Sequence, residues 1–226
     1  MIIGRYQMQK ISSLALLLSF LSVPAFTFSP RIGEPTVDEE VWKLQERGMR
    51  DYLNTSYALV MRLDTKSLED VFLAHTHINL IETVAVETKS PRILREAKEK
   101  LTSISQDHKD VVIRDRAINS IRRIVQKRMD EKTIRWGVET LIHILQSPDQ
   151  PRAGGYVYYF PAVAAAYQLQ NIHLMLSQSE IHFDSEIISQ IQQALNYTAH
   201  KDTSPEIKKA AHNAVLRIKY ELSRLQ

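Results

Sequence analysis

Arg116, Arg123 and Lys127 carry the most evident chemistry in this sequence. At about 100° per residue their spacing places all three cations in one narrow stripe of a helix, to one side of the stripe of Ile113, Ala117, Ile121 and Ile124. Such a ridge suits an acidic peptide, a lipid headgroup or another polyanion. Lys132 and Arg135 follow on the next helical segment, while Asp110, Asp115, Asp130 and Glu131 dilute the field. The bland alternative is a solvated face that keeps the protein soluble. A second candidate lies in the stretch 153–179, which contains no charged residue. There Gly154-Gly155 precedes Tyr156, Tyr158 and Tyr159, and tyrosine combines a large apolar face with a polar tip. These residues could form an aromatic-walled binding patch; the alternative is a loop followed by a central core helix.

Catalytic signatures are missing. The chain has no G-x-S-x-G, no H-E-x-x-H and no phosphate-cradling glycine loop, and without cysteine it has no thiol nucleophile. His75-Thr76-His77 looks like a metal pair, but residues two apart on a helix do not share a face. His143 after Glu139 and His182 before Asp184 bring no third ligand or base. The expectation is a non-enzymatic protein with no metal and no cofactor.

The elements that position the candidates begin after a distinctive N-terminus. Arg5 and Lys10 precede a leucine-rich, charge-free run from Ile11 to Phe26, with Val23 and Ala25 as small residues before a cleavage point. This layout predicts a signal peptide over residues 1–25 and export to the periplasm or beyond. Ser22 and Pro24 interrupt the run as a spanning helix, so no membrane span is expected after cleavage; an uncleaved anchor is the alternative. Removing Arg5 and Lys10 from a formal charge of +3 leaves about +1, so net charge says little about partners. Residues 26–36 read as a flexible linker and 37–226 as a single helical domain. Its core must be self-sufficient, because the chain has no cysteine for disulfides.

Glycine is scarce, the hairpin dipeptides Asn-Gly and Asp-Gly are absent and apolar residues recur at helical spacing. Thr36 with Glu39 fits a capping box. Ser90-Pro91 and Ser204-Pro205 place a capping hydroxyl before a first-turn proline, and Asp64, Asp110, Asp130 and Asp184 mark further starts. The expected helices are 37–63, 65–88, 91–106, 110–128, 131–147, 156–178, 184–199 and 205–225.

Laid over one another, four of these helices repeat a stripe with a small second residue. The stripes are Ile93-Ala97-Leu101-Ile104, Ile113-Ala117-Ile121-Ile124, Ile134-Val138-Ile142-Leu145 and Ile207-Ala211-Val215-Ile218. No single helix can bury such a stripe alone, whereas stacked antiparallel neighbours bury them all. Two helices per unit give a period of roughly 40 residues. In this pattern, over about residues 90–225, the chain resembles the HEAT/armadillo family of α-helical repeats. The resemblance implies an all-α fold, a short α-solenoid of antiparallel helix pairs, with 37–88 as a capping pair. The 153–183 region departs from the pattern, and an irregular helical bundle is the structural alternative.

The function expected from these features is an exported adaptor or scaffold that binds a protein or peptide through Tyr156, Tyr158, Tyr159, Arg116, Arg123 and Lys127. A lipid- or amphiphile-binding module walled by the uncharged 153–179 segment is one alternative, and an enzyme of unfamiliar type another. Nucleic acid is disfavoured, because export and the lack of aromatics between the basic residues both argue against it.

Overall fold

Capping chemistry sets where the helices begin. The computed structural model describes residues 37–63, 67–147, 161–179, 185–201 and 204–224. Among these residues there are eight helices and no strand: α1 (Val37–Arg62), α2 (Leu68–Glu87), α3 (Pro91–Asp107), α4 (Val111–Arg128), α5 (Glu131–Gln146), α6 (Pro161–Gln178), α7 (Ser185–His200) and α8 (Pro205–Ser223). The expected signal segment and linker, Thr36, Asp64, Asp184 and the three tyrosines at 156, 158 and 159 lie outside the described residues. The chain divides into two compact units, Met1–Met49 and Arg50–Gln226. The boundary falls within α1.

Ser90 and Ser204 accept from the backbone N–H groups of Ile93 and Ile207, with Pro91 and Pro205 in the first turns behind them. Asp110 and Asp130 do the same for Val112 at 2.8 Å and Thr133 at 2.9 Å. The α2 start differs from expectation. Its cap is Ser67, which accepts from Asp70 N–H at 3.1 Å, because a Ser three residues before an acid satisfies an orphan donor of the first turn. Helix α6 is described from Pro161.

The α4–α5 connection is only two residues long. Met129 takes the left-handed conformation (φ 51°) and closes α4 through its N–H to the Val125 carbonyl, while Asp130 opens α5. Arg128 reaches across to α2, where its Nη1 donates to the Ala85 carbonyl at 2.9 Å and the Thr88 carbonyl at 3.0 Å. A guanidinium thereby satisfies carbonyls at the negative end of α2 that have no intrahelical partner. His108 plays a matching part for α1. Its Nδ1 accepts from Asp110 N–H at 2.9 Å, which fixes the tautomer so that Nε2 donates to the Val60 carbonyl at 3.0 Å.

The helices sort into two layers. In one, α4 packs between α2 and α6, and α6 packs in turn on α8; in the other, α5 lies between α3 and α7. Helices within a layer run parallel. Arg50 meets Glu96 and Tyr57 meets Ser103, both 46 residues apart; Lys98 meets Thr133 and Thr102 meets Trp136, 35 and 34 apart. Successive helices joined by two or three residues cross between the layers and are antiparallel. The result is a two-layer stack of antiparallel helix pairs, the arrangement of a short α-solenoid.

The expected stripes of α3 and α4 are fully buried between the layers. In α5 and α8 the stripe shifts by one position: Leu141 and Ala214 are buried, whereas Ile142 and Val215 are half-exposed. All four stripes share the spacing four, four and three, so the difference at the third position is set by the neighbouring helices and not by the helical period. Close approach in α5 is provided by Gly137, where an added Cβ would stand 2.4 Å from Val125 Cγ2 of α4. Helix α6 touches α4, α5, α7 and α8, as expected of a central helix. Among the described residues no helix is long and apolar enough to cross a membrane.

Candidate functional site

Helix α4 presents two polar shoulders beside its buried stripe. Arg116, Arg123 and Lys127 look toward α2, while Asn119, Arg122 and Gln126 look toward α6. The structure brings the three predicted cations together on the α2 side, and it also supplies a counter-charge that the sequence pattern did not reveal. Glu82 of α2 is only 6% exposed. Its carboxylate accepts from Arg123 Nη2 at 2.7 Å and Nε at 2.9 Å, with Lys127 Nζ at 3.7 Å. Arg116 donates to the side-chain oxygen of Asn79, also on α2.

These cations differ in availability. Arg123 is three-quarters buried in the seam, whereas Lys127 keeps more than half of its side chain in solvent. Burial, followed by the neighbouring positive charge of Arg123, pushes the pKa of Arg116 and of Arg122 downward. A guanidinium stays protonated at neutral pH even so, and the direction records charge held in a partly dehydrated place. Burial also raises the pKa of Asp115, while Arg116 and a hydrogen bond from Asn119 oppose the rise. His75 sits on the same layer, and its pKa is lowered by burial first and by Arg116 second.

On the other shoulder, Gln168 of α6 donates to Asn119 at 3.0 Å, and Asn119 donates in turn to Asp115. An open cleft of about 780 Å³ runs between α4 and α6, lined by Asn119, Arg122, Gln126, Gln168, Asn171 and Gln178 among others. Carboxamides both donate and accept, so this lining can satisfy the N–H and C=O groups of a polar chain laid across it. Together the two shoulders make one polar surface over α2, α4 and α6, with Arg116, Arg122, Arg123 and Lys127 set against Glu82 and Asp115.

Arg122 and the carboxamides were missed by sequence reasoning. Arg122 falls about 100° from Arg123 on the helix, outside the stripe that drew attention. Asn79, Glu82 and Gln168 join the surface from other helices, and nothing in the local pattern marks them. Lys132 and Arg135 do not extend the ridge, because α5 belongs to the other layer; Arg135 instead pairs with Glu131 and Glu186. The tyrosines at 156, 158 and 159 lie outside the described residues, five to two positions before α6 begins. His75 and His77 are separated by their helix as expected, and His77 Nδ1 lies 3.1 Å from Ser56 Oγ. Among the described residues no three His, Asp or Glu side chains converge in a way that could hold a metal.

The sequence matches no protein-family model, and it matches no curated protein at a significant level.

Proposed function

We propose that this chain is a non-enzymatic, exported helical-repeat scaffold of HEAT/armadillo type, which binds an acidic, extended segment of a protein partner in the cell envelope. The segment lies across α2, α4 and α6. The observation that carries this reading is the pairing of four cations with an open carboxamide-lined cleft on one layer of the stack. Carboxylates of the segment meet Lys127, Arg122 and the cations held at Glu82, and its backbone meets Asn119, Gln168 and Asn171. Charge sets orientation and encounter rate, and the aromatic run Tyr156, Tyr158 and Tyr159, close in sequence to α6, supplies apolar burial.

Affinity capture from the cell envelope at low and high salt tests the reading. Wild type is compared with a charge reversal of Arg116, Arg123 and Lys127 to Glu and with a triple alanine at the three tyrosines. A partner that is lost with the charge reversal and in high salt, and whose binding segment is acidic, is the expected result. Identical capture by wild type and both variants would remove this surface from the function.

A further inference from the structure

The opposite layer holds a second cleft, of about 640 Å³, between α3 and α5. These two parallel helices touch along only a short length, in contrast to the closely packed α2, α4 and α6, so a gap opens between them. Pro91, Leu94 and Trp136 supply apolar wall, and Thr102 and Thr140 line it beyond the indole. The Trp136 ring is held in place by its own N–H, which donates to Thr102 Oγ1 at 3.1 Å. Lys98 stands beside it, with Nζ 5.2 Å from the ring centroid and donating to Thr133 Oγ1 at 2.9 Å.

The charge balance around Lys98 is incomplete. An ammonium has three donors, and here its hydrogen-bond partner is a neutral hydroxyl. Asp130, the acid whose charge acts on Lys98, is already engaged by Thr133 N–H, Thr133 Oγ1 and Arg128 Nε at 2.9, 2.7 and 3.3 Å. Glu99 faces Arg95 on its own helix. Asp107 lies nine positions along α3, about 13 Å away at the helical rise. Lys132, in the first turn of α5, lines the same cleft, so the positive end of the α5 dipole adds to the field there. Burial lowers the pKa of Lys98 more than Asp130 raises it, consistent with a cation short of compensation.

We propose that this cleft binds a small aromatic carboxylate, its ring against Trp136 and its carboxylate on Lys98. Aromatic stacking needs a fixed planar partner, and the Thr102 hydrogen bond fixes the indole. A half-buried ammonium forms a stronger charge-assisted bond than an exposed one. The assignment concerns the α3–α5 layer and stands apart from the surface on α2, α4 and α6.

The test uses the full chain with Trp42→Phe, which leaves Trp136 as the only indole, since the chain has two tryptophans. Trp136 emission is titrated with 3-phenylpropanoate, with the neutral 3-phenylpropanol and with the cationic 2-phenylethylammonium. The expected result is a saturable change with the carboxylate, at an affinity at least about tenfold above that for the alcohol, with no response to the cation. Lys98→Gln removes the carboxylate preference and Lys98→Arg retains most of it; circular dichroism of each variant confirms the fold. Equal binding of carboxylate and alcohol, an unchanged preference in Lys98→Gln, or no response to the carboxylate would each overturn the proposal. Charge reversal at Arg116, Arg123 and Lys127 leaves this titration unchanged, which separates it from failure of the scaffold reading.

Discussion

Arg123 Nη2 stands 2.7 Å from Glu82 Oε2, joining α4 to α2 across 41 residues of sequence at a nearly buried carboxylate. The contact both ties the layer together and lowers the net charge of the surface proposed to bind an acidic segment. Its two roles can be separated. Glu82→Gln is expected to lower stability by about 1–2 kcal/mol, because a charge-assisted pair becomes a neutral one. The same substitution raises the charge of the surface by one and tightens capture of an acidic segment. Urea denaturation and binding measured on the same preparation check both signs; a parallel loss of both would mean that Glu82 supports binding only by supporting the fold.

Gly137 lies where α5 comes closest to α4. Replacing a mid-helix glycine by alanine ordinarily stabilises by about 0.5–1 kcal/mol. Here the new methyl meets Val125 Cγ2 at 2.4 Å, and a β-branched side chain in a helix has little rotamer freedom to withdraw. Gly137→Ala is therefore expected to destabilise by about 1–3 kcal/mol. Adding Val125→Ala should recover much of the loss, and a double-mutant cycle by denaturation measures the coupling.

His173 is fully buried in α6, with Ser177 Oγ near Nδ1 and Gln192 Nε2 2.9 Å from Nε2. Burial lowers its pKa, against a smaller backbone effect in the other direction. The folded protein therefore holds this imidazole neutral at a pH where the unfolded chain takes up a proton. Stability is unaffected by His173 well above pH 6.5 and falls as pH drops below about 6.5, by at most about 1.4 kcal/mol per pH unit. His75 adds a contribution of the same sign. Denaturation curves from pH 8 to 5 should show a shallower acid loss in His173→Gln than in wild type.

Arg128 closes the C-terminal end of α2 by donating to the Ala85 and Thr88 carbonyls while its Nε faces Asp130. Arg128→Leu is expected to cost about 2 kcal/mol by leaving part-buried acceptors without a donor. Lysine should rescue little, since an ammonium lacks the planar fork that spans carbonyls and carboxylate together. Amide exchange in the last turn of α2 should quicken first, and unchanged exchange there would show that solvent already satisfies those carbonyls.

Local chemistry was legible in the sequence. Caps such as Ser90, Asp110, Asp130 and Ser204 act within three residues of themselves, and a stripe such as Ile113-Ala117-Ile121-Ile124 is a property of one helix. Helix type, most boundaries and the all-α class followed from these short-range rules. The clustering of Arg116, Arg123 and Lys127 was legible for the same reason. What surrounds them was decided by tertiary structure, because Glu82, Asn79 and Gln168 arrive from helices 37 to 49 residues away. The same holds for Trp136 and Lys98. Each is an unremarkable residue on its own helix, and they meet only because α3 and α5 run parallel in one layer. A helical period fixes which face a side chain occupies, while the partner across that face depends on which helices stack and in what register.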